Sequence, residues 1–146
     1  MKRKKLVFLG ILMLFVAPLV LAEDQEREIS VDEARKCFCT TWINPAYYES
    51  YRYTGIKIMN KDGTWEWYNN ETSEDPTWGG EYKIEKSWID KDGSVWLNVL
   101  FDEGFVKKYA LVKISDDRNT LEVAIDYKAY PTVDPDTWPY YIMYRK

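Results

Sequence analysis

From Thr40 onward, turn signals at regular spacing cut the chain into short aromatic and β-branched runs, and this rhythm constrains the fold more than any other feature. It predicts eight strands, at about 40–44, 53–60, 64–70, 80–90, 94–102, 105–115, 120–128 and 139–145. Lys61-Asp62-Gly63-Thr64 and Lys91-Asp92-Gly93-Ser94 are two copies of one turn. Read as two-residue Asp-Gly loops, they set the register of two hairpins. In the first, Ile58 faces Trp67, Ile56 and Trp65 share that face, and Lys57, Met59, Glu66 and Tyr68 take the other. In the second, Trp88 faces Leu97 and Ile84 faces Phe101, with Tyr82, Val95 and Val99 beside them. A three-residue loop would slip each register by one and set Glu85 against Val99 and Lys83 against Phe101, so the two-residue reading is preferred. Around Asp116-Asp117-Arg118-Asn119, a third hairpin pairs Ile114 with Leu121, Val112 with Val123 and Ala110 with Ile125, while Lys113 opposes Glu122.

Six successive strands of this kind form an antiparallel meander with one apolar face. Such a sheet must bury that face and deal with its edges, and closure does both. The expected fold is therefore all-β, an eight-stranded antiparallel up-and-down barrel whose interior is filled by side chains or holds one small ligand. An orthogonal β-sandwich is the alternative.

The start of the chain belongs to export, not to the fold. Met1-Lys2-Arg3-Lys4-Lys5 is basic, Leu6–Val16 is apolar apart from Gly10, and Val20-Leu21-Ala22 suits a signal peptidase. The division expected is a signal peptide at 1–22, a polar leader at 23–39 and a barrel at 40–146, secreted or periplasmic, with no stable membrane insertion once the signal is cut. Within the leader, Ser30-x-x-Glu33 fits a capping box, so a short helical turn and a disordered segment are both open readings. Without the signal, 16 basic residues face 24 acidic ones, a net charge of −8 that argues against nucleic acid. Histidine is absent from the whole chain, which removes Ser-His-Asp and Cys-His catalysis and His-ligated zinc.

Trp42-x-Asn44-Pro45, Asp62-Gly63-Thr64, Tyr82-x-Ile84, Trp88-x-Asp90-x-Asp92-Gly93, Tyr109-x-Leu111-x-Lys113-Ile114-Ser115 and terminal Tyr144-Arg145-Lys146 together resemble small exported bacterial lipocalin-like domains, calycin-type barrels, over residues 40–146. Thr40 stands where the lipocalin signature has Gly. The resemblance implies an eight-stranded barrel, an Arg145 lying over the Trp42 ring, and a small apolar molecule in the barrel mouth.

The residues themselves suggest where such a ligand would sit. Trp65, Trp67, Tyr82, Trp88 and Phe101 share the inward face, and Lys86 is the one charge placed there, between Ile84 and Trp88. The expected function is non-enzymatic binding of a small apolar or amphiphilic ligand by these six residues. The alternative is a protein-binding module, such as an inhibitor of an extracellular hydrolase, acting through loops such as Lys128–Trp138. No catalytic residue, metal site or cofactor is expected; Asp90-x-Asp92-Gly93 and Ser115-Asp116-Asp117 read as turns. Cys37 and Cys39, if extended, would put their thiols on one side, where a mutual disulfide is strained.

Overall fold

Each of the apolar runs becomes a strand, and the strands close on themselves. The protein was analysed as a computed structural model that describes residues 26–45, 55–70, 72–134, 136 and 138–146; the signal reading of 1–22 falls outside them. A two-residue strand, β1 (Arg27–Glu28), precedes helix α1 (Val31–Phe38) and the eight barrel strands. These are β2 (Thr41–Asn44), β3 (Gly55–Met59), β4 (Thr64–Tyr68), β5 (Trp78–Ile89), β6 (Val95–Asp102), β7 (Lys107–Ile114), β8 (Thr120–Asp126) and β9 (Tyr141–Arg145). Every strand from β2 to β9 pairs antiparallel with its neighbours in sequence, and β9 returns to β2 through Trp42↔Arg145 and Ile43↔Tyr144. The result is a closed up-and-down barrel of the lipocalin-like kind, and the sandwich alternative falls away.

The second half of the leader is part of this body. Ser30 caps α1, its hydroxyl accepting from the Glu33 N–H at 3.1 Å, and Asp32 and Glu33 sit in the first turn where the helix dipole favours them. The helix buries Ala34, Cys37 and Phe38. Phe38 meets Tyr82 edge-on at 5.6 Å, and the buried Trp42 indole donates to the Phe38 carbonyl at 3.1 Å. One end of the barrel is thus plugged by the helical option for the leader. Both cysteines are free thiols: Cys37 lies in the last turn of α1 and Cys39 caps it, so the extended geometry assumed for them does not arise.

Two of the three hairpin registers differ from expectation. Each Asp-Gly turn is a three-residue loop: Asn60 accepts from Gly63 and bonds Thr64 across the turn, and Asp90 does the same with Gly93 and Ser94. Gly63 at φ +90° and Gly93 at φ +81° supply the left-handed residue that such loops require. The first hairpin therefore pairs Lys57 with Trp67 and Met59 with Trp65, and Ile56 and Ile58 turn outward with Tyr68 and Glu66. In the second, Trp88 pairs with Trp96 and Ser87 with Leu97. The conflict foreseen for Glu85 is removed by a bulge between Ile84 and Lys86, which restores phase so that Tyr82 meets Phe101 and Ile84 meets Val99. The third hairpin keeps every expected pair, including Lys113 opposite Glu122.

Candidate functional site: a lysine inside an aromatic lumen

Because β3 is turned by one residue, Lys57 points into the barrel. Its amine stands 3.9 Å from the Phe101 ring centroid and 4.5 Å from that of Trp65, within reach of cation–π attraction to both. Among the described residues no carboxylate pairs with it; the charges that act on it are Lys108 and Glu103, which pair with each other at the β6–β7 turn. The residue keeps some exposed surface, but its amine is densely surrounded by protein. Desolvation, aided by the like charge of Lys108 and opposed by Glu103, pushes the amine down to about 7. The ring beneath it, Trp65, buries its own indole N–H with no acceptor. The Lys57 amine thus stands over two rings with no protein acceptor among the described residues, while the Trp65 indole nitrogen faces Gly80 of β5.

Lys57 lines a small void together with Phe38, Trp42, Met59, Tyr141 and Met143. The centre of a water-sized sphere can occupy only about 10 Å³ there, room for a single water or one small group. Tyr141 contributes the hydroxyl of this lining, and burial pushes it up from the usual phenol range. On the helix side, the Tyr82 hydroxyl donates to the Asn60 carbonyl and contacts the Cys39 thiol at 3.0 Å.

Of the six expected lining residues, four are on the inner face: Trp65, Trp67, Tyr82 and Phe101 are all buried. Trp65 and Phe101 meet edge-on at 5.7 Å, and Trp67 stacks on Trp78 at 5.5 Å. Trp88 and Lys86 are not inside. The three-residue loop turns Trp88 outward, where it stacks on Trp96 at 6.1 Å, and Trp138 also stacks on Trp96, at 5.5 Å. Lys86, just past the bulge, is exposed with its amine 5.2 Å from the Trp88 ring. The inward charge is Lys57 instead. Sequence reasoning missed it by assigning the Ile56/Ile58 face to the core. The signal that could have found it is the matched pair of Lys-Asp-Gly turns, since three-residue loops at both place Lys57 and Met59 beside Trp65 and Trp67.

Arg145 stands directly opposite Trp42 in the closing ladder, but the cation–ring contacts among the described residues are made by Lys57, Lys86 and Lys113. The Trp42 ring is covered from inside by α1. In the segment Lys128–Trp138, the described residues Tyr130 and Trp138 are tied to the barrel. Tyr130 donates to Glu85 at 2.7 Å and packs edge-on against Tyr109, and the Trp138 indole donates to Glu122 at 3.0 Å. These bonds lay both along the outer wall. Among the described residues the most exposed ring is Phe105, at 90%, on the β6–β7 turn beside the 43% exposed Trp78.

The chain matches no protein-family model, and neither a curated protein nor a solved structure is significantly similar to it.

Proposed function

We propose that the protein is an exported, non-enzymatic barrel of lipocalin-like type that holds a small apolar or amphiphilic ligand in its lumen. The observation that carries this reading is Lys57, an amine set over aromatic rings at an apolar void with no carboxylate partner among the described residues. Pockets of this composition, mostly apolar with one well-placed polar group, suit amphiphiles. The void as it stands takes one small group, so a longer guest enters by displacing the thioethers of Met59 and Met143, which adapt readily. Export rests on the basic, apolar and small-residue order of Met1–Ala22, and the exported protein is expected to have the mass of a chain starting at Glu23. Tryptophan emission offers the direct test, because Trp65 lies beside Lys57. Titration with decanol and decanoate should change that emission saturably. If neither does, and native mass spectrometry of the protein as exported finds it empty, the reading fails.

A second reading, docking to a protein partner, is favoured by the small void and by Phe105 and Trp78 standing exposed together. Under it, a photo-crosslinker at position 105 captures one defined partner in the exporting host, and Trp78→Ser abolishes the capture while leaving the fold intact.

A further inference from the structure

The Lys57 amine lines an apolar void, stands over the Phe101 and Trp65 rings and meets no carboxylate among the described residues. We infer that Lys57 is a binding site for one compact monoanion, a carboxylate or a halide, received in the void between Lys57, Tyr141 and Met143. This rests on the reading of the lumen as a ligand site and names the polar part of the ligand.

Lys57 is a three-proton donor and cannot accept, and it is the donor on this void, since the Trp65 N–H faces Gly80. No carboxylate among the described residues faces it: Glu103 is engaged by Lys108, and the side chains of α1, β2, β7 and β8 that line the void are Phe38, Trp42, Val112, Leu121 and Val123. The rings of Trp65 and Phe101 offset part of the charge but leave the ammonium protons unreceived. A guest with a single negative acceptor satisfies them; a cation repeats the charge already present, and a neutral alkyl group leaves the donors bare. The space favours a compact polar group, since about 10 Å³ for the centre of a water-sized sphere takes little more than one water until the walls move. The thioethers of Met59 and Met143 and the Tyr141 ring are the movable walls.

The source of the anion is either a free small ion or the head of an amphiphile, and the experiment separates them. The mature protein and Lys57→Met are titrated at pH 6 and constant ionic strength with sodium chloride, sodium acetate, sodium decanoate and decanol. The Lys57 side-chain resonances and tryptophan emission are followed. Besides Lys57, the groups facing the site that could titrate are Glu103, Lys108 and Tyr141, so the pKa is read on Lys57 itself. We expect at least one anion to saturate the site and raise the Lys57 pKa by one unit or more, roughly a tenfold coupling, with no response in Lys57→Met. Saturation by chloride or acetate identifies a free ion; saturation by decanoate alone identifies an amphiphile head. Resonances and pKa unchanged by every anion overturn the inference. If decanol and decanoate change the emission equally while the Lys57 pKa stays fixed, the lumen reading stands and the anion site falls. If acetate shifts Lys57 but neither ten-carbon compound enters, the anion site stands and the amphiphile reading falls.

Discussion

The hairpins β7–β8 and β3–β4 are built from equally plain strand grammar, yet alternation alone gives the right register only for the first. In β7–β8 the charges agree: Lys113 and Glu122 oppose each other on the outer wall, and Ile114, Val112, Leu121 and Val123 are buried on the inner one. Slipping that pair by one residue would set one strand's ion among the other strand's inward apolar residues, so the pattern has one solution. In β3–β4 it has two. Ile56 and Ile58 form one apolar file, while Met59 shares the other with a lysine. Counting apolar residues favours the isoleucines as core, but the three-residue turn overrides the count and sends Lys57 inside. The comparison teaches that alternation decides register only where every charge lies on one face. Where the core face carries a charge, turn geometry decides, and that charge is the residue to examine for function.

The largest effect that can break this comparison comes from the tryptophans. A two-residue turn in each hairpin puts Trp65 and Trp88 in the core alike, whereas the observed registers bury Trp65 and leave Trp88 stacked outside on Trp96. Trp65→Ala should cost about 3–5 kcal/mol, as for an aromatic removed from a packed core. Trp88→Ala should cost about 1 kcal/mol, on the scale of an aromatic pair contact. Urea unfolding of the two variants measures the difference, and equal losses would restore the discarded register.

Much of the architecture was legible because it depends on features that repeat. The eight strands lie within a few residues of their expected limits, since Asp-Gly and Asp-Asp-Arg-Asn turns end them and β-branched or aromatic runs fill them. Closure followed from having a long meander with an apolar face and no other cover for its edges. The site was less legible. Trp65, Trp67, Tyr82 and Phe101 have the expected face, but a bulge at Glu85 and the extra turn residue act through backbone geometry, which composition does not record. Those two features exchange Trp88 and Lys86 for Lys57.

A second, smaller effect sharpens the contrast through pH. The Lys57 amine has its folded pKa depressed to about 7 by desolvation, while the unfolded chain keeps the ordinary value of 10.5. Between these values the unfolded state binds the extra proton, so stability rises as pH increases through the window. From pH 7 to pH 9 the gain should be about 2 kcal/mol. Lys57→Met should remove this slope and be more stable than the parent at pH 6, since an uncompensated buried charge disappears. Denaturation midpoints at pH 6, 7, 8 and 9 test both parts, and parallel curves for parent and variant would mean that the amine faces water.

The smallest effect isolates the turn itself. Deleting Lys61 leaves Asp62-Gly63 as a true two-residue loop between Asn60 and Thr64, the pair that already bonds across the turn. The strands then keep their present register, with Lys57 opposite Trp67, although the loop has the length that first suggested the opposite face. What is lost is local. Asp62 now accepts from the Thr64 N–H at 2.9 Å and from its hydroxyl, and a two-residue turn needs positive φ at Asp62 as well as at Gly63. The expected cost is about 1 kcal/mol, the scale of a lost hydrogen bond plus a left-handed aspartate. The Lys57 pKa should remain near 7 in this variant, because its surroundings of Trp65, Phe101 and Met59 do not depend on Lys61. A return toward 10.5, together with burial of Ile58, would show that loop length rather than the packing of Trp65 and Trp67 holds the register, and that the lysine is inside only because the turn is one residue longer.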